Sequence, residues 1–170
     1  MPRPAPPAPR VLGLDPGSAA TGYGVVEPDR AGRGLALVAC GVIRPPARQP
    51  FHLRLMAIHQ GLGRIIQEYR PAEAAVEGVF AAKNIASALK LGQARGVALL
   101  TAAQEGLEVF EYTPAAVKKA LVGVGRAGKE QVRAMVGALL KVKASMPLDA
   151  SDALAVAITH LHSRKLGAFK

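Results

Sequence analysis

Asp15, Glu77, Asp149 and Asp152 are the residues whose types and settings could do chemistry. Asp15 ends an apolar run that begins at Val11, and Pro16, Gly17, Ser18 and Gly22 behind it supply turn chemistry. A carboxylate at the end of a buried strand carries a desolvation cost unless a cation, a basic side chain or backbone N–H groups neutralise it. Taken alone, Asp15 reads first as a turn-opening aspartate bonded to its own loop. Glu77 is a second acid near the end of an apolar run, EAAVEGV. Asp149 and Asp152 are spaced i, i+3 at the start of a helical pattern, so they share a face. Singly they read as an N-cap and a first-turn acid favoured by the helix dipole. Four carboxylates from three segments, converging at one edge of a sheet, would repel and raise one another's pKa values. Divalent cations resolve that conflict, and an all-oxygen donor set suits Mg²⁺ or Mn²⁺. Two such ions, roughly 3.5–4 Å apart, can clamp the attacking and leaving oxygens of a phosphodiester hydrolysis.

The charge balance points to the same kind of substrate. The 170 residues carry 22 Lys and Arg against 12 Asp and Glu, a net +10. Residues 81–170 hold thirteen of the basic and six of the acidic residues, and residues 115–143 hold seven basic and one acidic. Such an excess favours a polyanion, most simply nucleic acid, and the 115–143 stripe suits phosphate contacts. Cys40 is the single cysteine, so no intrachain disulfide can form and a cytoplasmic protein is the natural reading. The first ten residues, MPRPAPPAPR, hold too many prolines for a signal peptide and read as a flexible or polyproline tail. No apolar run reaches the roughly 18 residues that a membrane span requires.

The elements that must position the acids follow from periodicity. Val11–Leu14 suits a strand buried on both faces, with Val25 and Val26 on an antiparallel partner and Leu35–Ile43 as a third strand after a hairpin loop. Leu55, Ile58, Leu62, Ile65 and Tyr69 step by three and four, which predicts a helix over Phe51–Tyr69 ended by Pro71. Glu73–Val79 is expected as a strand, Asn84 to about Ala103 as a helix, and Leu107–Tyr112 as the last strand. Gly92 and Gly96 on that helix share a face that could approach the sheet or a second subunit. Thr113 and Pro114 open a short helix through Leu121, and helices are expected over Lys129–Leu140 and Ala150–Leu161. The outcome is an α/β fold, a mixed sheet with helices packed on it, in one domain over residues 11–166 with short tails at 1–10 and 167–170. His52 and His59 are expected to be partly buried on the first helix, and His160 and His162, two apart, share no helix face.

From Val11 to His162 the chain resembles the RuvC family, the bacterial Holliday junction resolvases. The motifs that carry the resemblance are LGLDPGSAATGYGVV, VEGVFAAKNIASALKLGQARGVA and DASDALAVAITH. It implies an RNase H-like fold, with a five-stranded mixed sheet flanked by helices, assembled as a two-fold homodimer. It implies Mg²⁺-dependent nicking of two opposite strands of a four-way DNA junction, leaving 5′-phosphate and 3′-hydroxyl ends, with Mn²⁺ as a substitute. The family's four catalytic, metal-binding carboxylates fall on Asp15, Glu77, Asp149 and Asp152, with Asp15 shared by two metals. One metal would activate water and the other would stabilise the leaving 3′-oxygen. An aromatic near the junction crossover and two lysines beside the DNA fall on Phe80, Lys118 and Lys129. Lys83, Lys119 and Arg126 join them as DNA-contact candidates. An exposed Phe can stack on an unpaired base, although a Phe at a strand end is more often core. A RuvA–RuvB branch-migration complex is the implied protein partner. Gly78 departs from the larger polar residue the family usually carries after the glutamate.

Other readings are weaker. GVGRAGKE, residues 123–130, approaches a phosphate-binding loop, but Glu130 stands where a hydroxyl should bind Mg²⁺ and a helix precedes it. An actin-like or sugar-kinase-like ATPase needs a duplicated domain, and the chain has no repeat. A non-catalytic DNA-binding module would be marked by a missing carboxylate, and all four are present; an RNA-processing nuclease would be marked by preference for structured RNA.

Overall fold

The ends of two central strands and the starts of the helices near them decide where the charged side chains of interest fall. In a computed structural model describing residues 9–78, 84–142 and 145–165, the strands are β1 (Val11–Asp15), β2 (Thr21–Pro28), β3 (Leu35–Ile43), β4 (Glu73–Glu77) and β5 (Glu108–Tyr112). The helices are α1 (Phe51–Tyr69), α2 (Ile85–Gln104), α3 (Pro114–Val122), α4 (Lys129–Leu140) and α5 (Leu148–Lys165). The sheet order is β3-β2-β1-β4-β5, with the first three strands antiparallel and β1, β4 and β5 parallel. This is the expected five-stranded mixed sheet. The strand β1 lies at its centre, and Val11, Leu12 and Leu14 are fully buried.

Strand alternation sorts the core into two layers. Leu12, Leu14 and Val76 face α1 and α2, meeting Ile58, Leu62, Ala94 and Ala98. Val11, Ala75 and Val26 face α5, meeting Leu154 and Ile158, with Val117, Val132 and Val136 of α3 and α4 packed beyond. Helix α5 is therefore enclosed by the sheet on one side and helices on the other, which is why its residues from Ala150 to Leu161 are buried except Asp152. It lies so close to the sheet that a Cβ at Gly13 would stand 1.9 Å from the Ala153 carbonyl oxygen.

Local chemistry sets the helix ends. The Asn84 side chain accepts from the Ser87 N–H, and that of Thr113 from the Ala116 N–H, with Pro114 at the first helical position. Arg70 ends α1 in the left-handed conformation, φ 47°, and Pro71 follows. The far end of α5 is fastened to the sheet by a polar cluster around the buried His160 and Glu73. His160 Nε2 meets Glu73 Oε2 at 2.6 Å, Tyr112 Oη meets His160 Nδ1 at 2.7 Å, and Arg164 pairs with the other Glu73 oxygen at 3.0 Å.

Several expectations shift. Arg10, counted with the tail, belongs to the fold: it pairs with Glu27 at 2.8 Å, and its carbonyl accepts from the Ala72 N–H. Asp149 is not a cap, because α5 already begins at Leu148, and Pro147's carbonyl accepts the first-turn N–H of Ser151. Gly92 and Gly96 do not approach the sheet: both are exposed, with nothing within 4 Å of a Cβ placed there. His52 and His59 are exposed rather than partly buried, although His59 Nδ1 still meets Thr101 Oγ1 of α2 at 2.8 Å. His160, which the spacing left idle, is the fully buried centre of the clamp on α5.

Candidate active site

Register brings the first two acids together. Parallel pairing sets Leu14 opposite Val76, so the next residues, Asp15 and Glu77, end neighbouring strands at the same level. Adjacent strands are about 4.8 Å apart, and level residues of a parallel pair point to one face. That face is the one α5 covers, because Asp15 alternates with Gly13 and Val11, and Glu77 with Ala75. The acids therefore meet at the ends of two central strands, not along an edge strand.

The second pair arrives from above. Antiparallel pairing puts Gly22 opposite Asp15. A Cβ on Gly22 would stand 2.0 Å from the Asp149 carbonyl oxygen, so the first turn of α5 rests directly on this glycine. Asp152, one turn further, shares a small cleft of about 90 Å³ with Glu77, Lys118, Lys129, Val117, Val132 and Ala155. The turn behind Asp15 is held by Thr21, whose hydroxyl donates to the Gly17 carbonyl at 3.0 Å.

The electrostatics are those of crowded acids. The Asp15 carboxyl is pushed up to about 7, first by burial and then by the charges of Asp152, Asp149 and Glu77, against a weaker pull from Lys129. Glu77 is raised by burial and by Asp152, and lowered by Lys118 and Lys129. Asp152 is raised by burial and Asp149, while Lys129 and Arg133 lower it. Among the described residues no three His, Cys, Asp or Glu side chains are already drawn together tightly enough to hold a metal ion. The donor set nevertheless fits a hard divalent cation: it is all oxygen, it is anionic, and rigid elements present it.

The basic candidates divide. Lys118 on α3 and Lys129, the first residue of α4, line the cleft with Glu77 and Asp152. Lys119 and Arg126 are exposed on α3 and the loop after it, and do not line that cleft. Phe80 and Lys83 lie outside the described residues. Gly78 extends the sheet beyond Glu77, its N–H donating to the Tyr112 carbonyl at 2.7 Å.

Two arginines of the site escape a sequence reading. Arg95 of α2 donates from Nη1 to the Glu77 carbonyl at 2.6 Å and from Nη2 to Glu111 at 2.7 Å, tying the strand end that carries Glu77 to a helix. No sequence pattern marks an arginine whose partner is a main-chain oxygen. Arg133 of α4 donates to the Met146 carbonyl at 2.7 Å, holding the segment that enters α5. Its spacing, i+4 from Lys129, puts both on one face of α4, but nothing in the sequence turns that face toward Asp152.

Sheet order and strand-end carboxylates define the class: an RNase H-like α/β fold with a candidate phosphodiester-cleaving centre. The family model for the crossover junction endodeoxyribonuclease RuvC matches residues 11–160. Crossover junction endodeoxyribonucleases RuvC from Azorhizobium caulinodans and Xanthobacter autotrophicus are 52% and 54% identical to the chain over 155 residues, 91% of this chain and 90% of each relative. The structure of Thermus thermophilus RuvC in complex with Holliday junction substrate superposes with a TM-score of 0.86 at 36% identity, over 93% of this chain and 96% of that one. The chain belongs to the RuvC family of crossover junction endodeoxyribonucleases.

Proposed function

We propose that the chain is a cytoplasmic, Mg²⁺-dependent nuclease that resolves four-way DNA junctions by paired, symmetric nicks. The observation that carries the reading is the meeting of Asp15 and Glu77, level on β1 and β4, with the first turns of α5 on a chain of this family. Bound among these oxygens, two divalent cations supply a Lewis acid and an acidified water. The chain's own part is to present four carboxylates from two strands and one buried helix. Lys129, whose charge pulls the carboxyls of Asp15, Glu77 and Asp152 down, would offset their negative charge, with Lys118 beside it for a DNA phosphate. In the reaction, water oxygen bonds to phosphorus, the bond from phosphorus to the 3′-oxygen breaks, and the 3′-oxygen takes a proton. A labelled four-way junction should be nicked in pairs with Mg²⁺ and left intact with chelator, while linear duplex of the same sequence survives both. Binding without cleavage in any divalent metal would reduce the centre to a junction-binding module. Lys118→Ala is expected to weaken junction binding and lower the slope of log affinity against log salt by about 1; an unchanged slope removes this lysine from the DNA surface.

The paired nicks require two centres, and a homodimer supplies them. Ile85, Leu89, Gly92, Gly96 and Leu100 share the outer face of α2, with Ile85, Leu89 and Leu100 at 81%, 63% and 57% exposure. That stripe, with glycines that permit close approach, is the proposed dimer face. Leu89→Glu is expected to halve the sedimenting mass with little change in thermal stability, and to replace paired nicks by isolated ones. A variant that stays dimeric moves the interface elsewhere. A RuvA–RuvB branch-migration complex, implied by the resemblance, would deliver the junction. Among the described residues no helix is long and apolar enough to cross a membrane.

A further inference from the structure

We infer that Arg44 and Arg48, set by Arg54, form a second phosphate-binding surface on the flank of the carboxylates opposite Lys118 and Lys129. The inference rests on the junction-cleavage reading and adds to it the residues that grip the DNA from the other side. Residues 30–67 contain six arginines and no Asp or Glu, and residues 1–80 contain nine arginines and no lysine. All but Arg64, within α1, divide between the two ends of the sheet.

Arg44 and Arg48 lie at the end that bears the acids. Ile43, the last residue of β3, pairs with Thr21, and Thr21 closes the turn that follows Asp15. The chain leaving β3 therefore carries Arg44 and Arg48 past the same end of the sheet. Both are exposed, and among the described residues neither forms an ion pair. In the first turn of α1, Arg54 donates from Nη2 to the Ser18 carbonyl in that turn, and its guanidinium carbon lies 5.8 Å from the centre of the Phe51 ring. This contact ties the start of α1, and with it the arginine-bearing linker, to the loop behind Asp15. Helix α1 covers the sheet face opposite α5, whereas α3 and α4 lie beyond α5. A nucleic-acid arm laid across the strand ends thus meets lysines on one flank and arginines on the other. The planar guanidinium suits bidentate contact with phosphate, and an unpaired exposed arginine is free to make it.

The molecule supplies its own control. Arg30 and Arg33 sit in the β2–β3 hairpin loop, at the other end of the sheet, and both are exposed. Junction affinity would be measured for the full chain across a salt series with chelator present, so that the DNA stays intact. Arg44→Ala with Arg48→Ala is expected to lower affinity at least about tenfold near physiological salt and to reduce the salt slope by about 2, since each lost phosphate contact removes about 0.9. Arg30→Ala with Arg33→Ala removes the same charge and is expected to leave the slope unchanged. An unchanged slope in the first pair, or an equal fall in both pairs, overturns the second surface. Failure of the unaltered protein to bind or cut the junction would instead overturn the functional reading.

Discussion

Asp15→Asn is expected to abolish strand cleavage, by on the order of 10³-fold or more, while leaving junction binding intact and making the metal-free protein harder to unfold at neutral pH. These effects have one cause. Asp15 sits level with Glu77 beneath the first turns of α5, and burial together with three neighbouring acids pushes its carboxyl up to about 7. Its unfolded value is near the ordinary carboxylate value of about 3.9. A group raised on folding holds its proton more tightly in the native state. Its contribution to stability is complete below about pH 4 and is lost as pH rises through about 7. Asparagine keeps the shape and stays neutral, so its advantage over the wild type should open between pH 4 and pH 7 and then hold. Thermal unfolding in chelator across that window is the measurement.

The same shift links metal to protons, because cation binding requires the ionised carboxylate. Metal affinity of the wild type should climb as pH rises toward 7 and level off above it, with proton release on binding. The Asp15→Asn variant should lose most of that slope. A variant that still cuts the junction would remove Asp15 from the reaction, and one that no longer binds it would make the acid a structural element of the turn.

Much of the fold could be read directly because apolar periodicity and end signals agree. The α1 stripe, the Thr113–Pro114 start of α3 and the buried Val11–Leu14 strand appear where their patterns put them. Helix α5 hides its role for a physical reason. It is buried all round, so no polar face reveals its orientation, and its fastening depends on Glu73 and His160, which lie 87 residues apart. Two histidines at i, i+2 looked idle because the sequence shows neighbours along the chain, whereas His160 finds its partners across the sheet. The carboxylates had the opposite fortune. Each alone had an ordinary explanation, and only together, at the ends of β1 and β4 and on the first turns of α5, do they suggest a metal site. The residues that steady the site, Arg95 on the Glu77 carbonyl and Arg133 on the Met146 carbonyl, were invisible because main-chain oxygens are present at every position.

Gly22→Ala should cost more activity than any other single methyl added to this fold. Gly22 lies opposite Asp15, and the new Cβ would stand 2.0 Å from the Asp149 carbonyl oxygen and 3.0 Å from the Asp149 Cβ. Neither neighbour is a flexible side-chain end, so relief requires lifting the first turn of α5 or bending β2. The far end of α5 is held by His160 and Arg164 on Glu73, so the helix cannot slide away as a whole and tilts at its acidic end. Overpacking of this kind costs about 1–3 kcal/mol, which for a chain of this size lowers the melting temperature by roughly 2–12 °C. Catalysis should fall further than stability, on the order of 10²-fold, because a displacement of about 1 Å at a reacting centre is enough for that. Gly13→Ala is the comparison that separates the two effects. Its Cβ would press on the Ala153 carbonyl at 1.9 Å, one turn beyond Asp149, so it should destabilise at least as much. Metal titration of both folded variants reads the difference. Gly22→Ala should bind the cation more weakly than Gly13→Ala at equal stability, because its clash falls on a carboxylate-bearing residue. Equal metal affinities in the two variants would show that the first turn of α5 does not set the metal donors.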